Sequence, residues 1–157
     1  MIPIKIYTDG SARNNGSGSG GWGAILTQGS YTKEISGGYR LSTNNRMELM
    51  AVVESIKMMK RKGLDLEIYS DSAYVVNSIE KGWVFNWAKS NFADRVNSDL
   101  WRQFVELYTE FNIKMIWVKG HASNAGNNRC DTLATTASAD ANKANWLVDI
   151  EYEKSKK

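Results

Sequence analysis

A chain of 157 residues with 42% hydrophobic and 24% charged side chains is sized and composed for one domain with a real core. No stretch reaches the roughly 18–20 apolar residues of a bilayer span. The N-terminal MIPIKIYTDG turns polar too early for a secretory signal, and the lone Cys130 excludes an internal disulfide and fits a reducing, cytoplasmic setting. A net charge of +3 permits a polyanionic partner without demanding one.

In chain order, Ile2, Ile4 and Ile6 alternate with Pro3, Lys5 and Tyr7, the period of a half-buried strand that ends in Asp9-Gly10-Ser11. GWGAILTQGSYTKEISGGY reads as two further strands around a Gln28-Gly29-Ser30 hairpin turn. The preceding Gly16, Gly18 and Gly21 satisfy G-x-G-x-x-G, but a dinucleotide fingerprint should open a helix there and WGAILT reads as a strand. A helix is predicted over 44–61, with Val52, Ile56 and Met59 on one stripe and a stop at Lys62-Gly63. LDLEIYSDS gives a fourth strand ending at Asp71, then a helix over 73–81. WVFNWAKSNF gives a short aromatic helix or loop, followed by a helix over 98–111 capped by Asn97 or Ser98. IKMIWVKGH is the fifth strand, and 127–142 the last helix. The order β-β-β-α-β-α-(α)-α-β-α predicts an α/β protein with a five-stranded mixed sheet. One domain over 1–145 and a tail over 146–157 are expected.

The acids fall at telling places. Asp9 and Asp71 share the frames IYTDGS and IYSDSA, so parallel neighbouring strands would bring both carboxylates to one sheet edge, where open α/β sheets place ligand sites. Glu48 lies at the start of the first predicted helix, close to its apolar stripe. Taken alone, Asn45 and Glu48 have the form of a capping box. Asp131 belongs to the first turns of the last helix, after a loop holding the only histidine, His121. Each acid singly could be a cap or turn former. Four converging carboxylates repel unless cations neutralise them, which points to hard divalent ions and phosphoryl transfer with two metals about 3.5–4 Å apart.

IYTDGS, TNNRMELMA, YSDSAYVVN and WVKGHASNAGNNRCDTLA together closely resemble the type 1 ribonuclease H family of bacteria, from about Ile4 to Ala137. The resemblance implies a ribonuclease H-like fold, three antiparallel strands followed by parallel ones, flanked by helices. It implies endonucleolytic hydrolysis of the RNA strand of an RNA–DNA hybrid, leaving 5′-phosphate and 3′-hydroxyl ends. It assigns Asp9, Glu48, Asp71 and Asp131 to metal binding, with two Mg²⁺ per site when substrate is bound and Mn²⁺ able to substitute. His121 corresponds to a loop histidine that assists proton transfer or product release. Glu48 is then tolerated beside the core because metal compensates it, with a capping role able to coexist.

By the same resemblance, Asn15, Asn44 and Asn45 match positions that touch the hybrid in the minor groove, where the 2′-hydroxyl distinguishes RNA. Thr43 and Arg46 are candidate phosphate contacts, and Trp83, Trp87 and Phe92 fit the groove for the DNA strand, with ordinary packing as the competing role. Phosphate contacts carry little sequence information, so cleavage should be sequence-tolerant. Two features depart from the family. Between Trp83 and Trp101 only Lys89 and Arg95 stand where relatives carry a basic cluster, offset by Asp94 and Asp99, so binding should be weaker and salt-sensitive unless another surface, such as the tail EKSKK, compensates. Ala73 replaces a glutamine that contacts a base in many relatives. An integrase-like or reverse-transcriptase-associated nuclease shares the fold and metal chemistry, and a non-catalytic hybrid-binding module would have no use for four repelling acids. A monomer is expected.

Overall fold

The computed structural model describes residues 2–119, 124–140 and 142–156. Its five-stranded sheet has the order β3-β2-β1-β4-β5. β1 (Ile4–Ala12), β2 (Gly18–Gln28) and β3 (Tyr31–Ser42) form an antiparallel meander. β4 (Asp65–Ser70) and β5 (Asn112–Trp117) extend it in parallel from β1. The helices are α1 (Asn44–Lys57), α2 (Ala73–Glu80), α3 (Trp83–Lys89), α4 (Ser98–Tyr108), α5 (Ala125–Ser138) and α6 (Ile150–Ser155). The predicted mixed sheet and its element order are those observed, and no helix among the described residues is long and apolar enough to cross a membrane.

The strand period places the helices. A Cβ on Gly20 would meet the Met47 side chain of α1, whereas one on Gly21 would run into the Ala134 carbonyl oxygen of α5. Adjacent residues of β2 therefore face opposite layers, α1 on one side of the sheet and α5 on the other. The main core forms on the α1 side, where Ile6, Leu26, Leu66 and Ile68 of the sheet pack with Leu49, Val52, Val53 and Ile56 of α1 and with Trp101 and Phe104 of α4. On the other side α5 is tied to β1 by polar bonds: Asn127 Nδ2 donates to the Thr8 carbonyl (3.0 Å) and Cys130 Sγ to the Tyr7 carbonyl (3.2 Å).

Several boundaries differ from those the sequence predicts. β1 continues past Asp9 to Ala12 because β2 still pairs with it there, Ala12 opposite Gly20. α1 stops at Lys57, four residues early, and the chain leaves it to bond the α4–β5 connection, Gly63 N–H donating to Glu110 O (2.8 Å). α4 stops at Tyr108 so that Asn112 can begin β5. α5 runs over 125–138 rather than 127–142, with Asn124 as its cap. Asn97 occupies the cap position of α4 at φ 61° but makes no capping bond. Its side chain accepts from Arg46 (3.2 Å) and donates to the Tyr74 hydroxyl (3.2 Å) instead. Phe92 is core, only 6% exposed, and presents no groove surface.

Beyond residue 145 the chain stays on the body. Leu147 bridges to β3, its N–H donating to Gly38 O (2.9 Å) while its carbonyl accepts from Arg40 N–H (3.0 Å). Asp149 then meets Arg46, which is 2% exposed, through two bonds of 2.5 and 2.9 Å. Asp99 takes two more at 2.9 and 2.7 Å, so with Asn97 all five guanidinium N–H groups are used. Arg46 is therefore a structural clamp between α1, α4 and the C-terminal segment rather than a phosphate contact. Burial lowers its pKa, but the bonds to Asp99 and Asp149 more than offset this and raise it. Although burial pushes the Asp99 carboxyl up, Arg46 holds it below the ordinary value of 3.8.

Arg46→Ala leaves the buried Asp149 carboxylate without its cationic partner, so urea unfolding should show a loss of roughly 3–5 kcal/mol. Asp99, which Arg46 holds low, contributes stability above its unfolded pKa and loses it as pH falls through the folded one. The deficit should therefore narrow below about pH 4.

Candidate active site at the end of the parallel pair

β1 and β4 pair only from Ile4–Leu66 to Tyr7–Tyr69; the Thr8 hydroxyl adds one bond to the Tyr69 carbonyl (2.8 Å). β4 ends at Ser70, whereas β1 runs on to Ala12, so past this line no strand among the described residues pairs with β1 on that flank. Asp9 and Asp71 are each two residues beyond the last parallel pair, in matching positions. Gly10 lets α1 close down on this point, since a Cβ there would collide with the Met47 carbonyl carbon and the Glu48 nitrogen. By alternation Asp9 leaves the sheet on the side opposite to Gly10. Glu48 reaches it from the α1 layer through the opening where β4 is absent.

The result is one tight acidic group. Ligand oxygens of Asp9, Glu48 and Asp71 all lie within 4.8 Å of one another. Asp9 is 4% exposed and Glu48 8%. Asp9 also accepts from the Gly10 N–H (2.9 Å). Burial pushes the Asp9 carboxyl up to about 6, with the charges of Asp71 and Asp131 adding to this and hydrogen bonds from Glu48 and Gly10 opposing it. Glu48 is raised well above its ordinary value, by burial first and then by its hydrogen bond to Asp9 and the charges of Asp9 and Asp71. Glu48 Oε1 is buried with no hydrogen-bond partner among the described residues. A lone pair left in that state costs free energy that a cation would recover. Asp131, half-buried on α5, stands outside the 4.8 Å group but close enough for its charge to act on Asp9.

The capping box between Asn45 and Glu48 is not formed. Thr43 is the N-cap of α1, its hydroxyl accepting from Arg46 N–H (3.1 Å), which puts Glu48 fifth in the helix and leaves no acid in the first turn. Glu48 therefore has no capping role to account for its place beside the other acids.

The remaining candidates divide. Asn44 and Asn45 are exposed at the start of α1, and Asn15 is exposed on the β1–β2 turn. Asn15 Oδ1 accepts from Asn44 N–H (2.9 Å), and Asn44 Oδ1 accepts from Ala12 N–H (2.6 Å), so these asparagines brace one another. Trp83 is 44% exposed with Lys81 Nζ 5.4 Å from its ring centre. Trp87 is half-buried, edge-on to Trp101 and covered by the Arg95 guanidinium at 4.9 Å. His121 lies outside the described residues. The sequence reading missed Asp149 and Tyr152, for which D-x-x-Y as the start of a short capped helix was the available signal.

A family model described as RNase H matches residues 3–139. The chain belongs to the RNase H family. It is 44% identical over 142 residues to "Ribonuclease H" of Syntrophomonas wolfei, covering 87% of this chain and 97% of that one. To "Ribonuclease H" of Syntrophus aciditrophicus it is 44% identical over 154 residues, 95% of this chain and 86% of that one. Among solved structures, LC9-RNase H1, a type 1 RNase H with the type 2 active-site motif, superposes with TM-score 0.78 at 26% identity, over 99% of this chain and 81% of its own. LC11-RNase H1 in complex with RNA/DNA hybrid shares the fold with TM-score 0.67 at 21% identity, over 86% and 96% of the two chains.

The raised Asp9 value has a thermodynamic sign. A carboxyl that titrates at about 6 when folded, against 3.8 ordinarily, binds its proton more tightly in the folded state. Stability is therefore lost as pH rises through that window. Asp9→Asn should raise metal-free stability at pH 7.5 by up to roughly 3 kcal/mol, a gain that disappears near pH 3.5. Urea unfolding with chelator at the two pH values checks this.

Proposed function

We propose that this chain hydrolyses the RNA strand of RNA–DNA hybrids endonucleolytically, leaving 5′-phosphate and 3′-hydroxyl ends with little sequence preference. The observation that carries the proposal is the buried group of Asp9, Glu48 and Asp71, with its orphaned Glu48 Oε1, in a member of the RNase H family. Such a donor set suits hard divalent cations, which we take to be two Mg²⁺ when substrate is bound, with Mn²⁺ able to substitute. Bound there, the ions would neutralise the carboxylates, lower the pKa of an attacking water and offset charge on the scissile phosphate.

The chain's own contribution is to hold and orient. Asp9 is fixed by β1 and the Gly10 N–H, Glu48 by the fifth position of α1, and Asp71 by the end of β4. Asp131 adds a ligand from α5, set back from the other three. His121 assists proton transfer or product release. Asn15 and Asn44, bonded to each other, and the neighbouring Asn45 stand on an exposed rim and read the minor groove. The Thr43 hydroxyl, which accepts from Arg46 N–H, retains a proton to donate to a phosphate. Trp83 and Trp87 offer aromatic surface to the DNA strand. We take the enzyme to act as a monomer in the cytoplasm.

The test offers one labelled duplex sequence as RNA–DNA, RNA–RNA and DNA–DNA, along with single-stranded RNA, each with Mg²⁺ or with excess chelator. Only the RNA strand of the hybrid should be cut, and only with metal. Asp9→Asn and Glu48→Gln should each lower the rate by about 100-fold or more. Cutting of DNA would replace this reading with an integrase-like one, and hybrid binding without cutting under any metal would leave a binding module.

A further inference from the structure

We propose that Tyr152 is a positioning residue for hybrid binding, holding from the C-terminal segment the β1–β2 turn that carries Asn15. This rests on the minor-groove role proposed above for Asn15. The turn is strained: Asn14, Asn15 and Gly16 follow one another at φ 51°, 28° and 114°. Two consecutive non-glycine residues in left-handed space cost free energy and persist where surroundings over-determine them. The turn closes on itself through Arg13 N–H to Ser19 O (2.8 Å) and a long bond from Ser17 N–H to Asn14 O (3.4 Å). Outside restraint comes from two directions. Asn15 Oδ1 accepts from Asn44 N–H, and the Tyr152 hydroxyl donates to Gly16 O (3.4 Å). Gly16 also lies beside that hydroxyl and the Thr43 methyl, which a Cβ there would meet in ordinary contact at 3.5 and 3.7 Å.

The other attachments of the segment fix its direction of action. It is bonded to β3 through Leu147 and through the Arg40–Glu153 pair (2.8 and 2.7 Å), and to α1 through Asp149. Asp149 also caps the helix that presents Tyr152, accepting from its N–H (3.1 Å). Tyr152 is itself 8% exposed, with the Arg46 guanidinium 5.9 Å from its ring centre. The first two attachments grip elements that sheet and helix bonds already hold. The third grips an exposed, strained turn with few bonds of its own, so the turn is the part that gains order. A pre-ordered Asn15 spares the hybrid the cost of ordering it.

The experiment compares the full chain with Tyr152→Phe, alone and in an Asn15→Ala background, by hybrid-cleavage kinetics and by exchange of the Asn44 amide. Tyr152→Phe should raise KM about three- to tenfold, as expected for one lost hydrogen bond, with kcat within about twofold. Asn44 amide exchange should quicken, and the KM effect should vanish once Asn15 is alanine. An unchanged KM with unchanged exchange overturns the proposal, as does an equal KM rise in the Asn15→Ala background, which would mark a general stability effect. If the unmodified chain cuts no hybrid, the functional reading falls, and the exchange comparison alone decides whether Tyr152 restrains the turn.

Discussion

Mutual repulsion among three carboxylates whose oxygens lie within 4.8 Å is the constraint around which this molecule is arranged. Burial intensifies it, because the water that would screen the charges is excluded. The nearby Arg46 is spent on Asp99 and Asp149. Burial first, with the neighbouring acid charges adding to it, raises both Asp9 and Glu48. Stability and function pull in opposite directions here, and the site persists at the cost of the apo protein.

Such a site needs rigid surroundings, and the two helical layers provide them. Gly10 of β1 admits α1 on one face of the sheet, and Gly23 of β2, which pairs with Asp9, admits α5 on the other, so the sheet is closely covered from both sides beside Asp9. The Arg46 clamp then ties the first turn of α1 to α4 and to the C-terminal segment. Residues outside the acidic group thereby fix the start of the helix that bears Glu48 and the exposed asparagines. The C-terminal segment belongs to this same frame.

Local pattern made much of this legible. The alternation of Ile4 and Ile6, the Gly29-Ser30 turn and the matching IYTDGS and IYSDSA frames led to the sheet and to the pairing of Asp9 with Asp71, because each signal is complete within a few residues. The dismissal of Gly16-x-Gly18 as a nucleotide loop agrees with a turn opening into β2. What misled was ambiguity between neighbours or distance along the chain. Asn45 and Thr43 can both serve as caps, and only the backbone chooses Thr43. Arg46 resembled a surface phosphate ligand because its partners, Asp99 and Asp149, are 53 and 103 residues away. The bridge from Leu147 to Tyr39 is equally invisible to any short window.

The early end of β4 also dictates the lengths of the acids. Asp9 and Asp71 stand on the backbone beside the opening, where one methylene reaches its centre. Glu48 must cross from the helical layer, and only a second methylene closes that span. The three side chains act as a set of matched rulers measured from three separate supports. Aspartate and glutamate are consequently not exchangeable at these positions, even though charge and acidity would be kept. Conservative chemistry at the wrong length would shift an oxygen out of the shared group, and the close packing of α1 on Gly10 leaves that helix little room to follow.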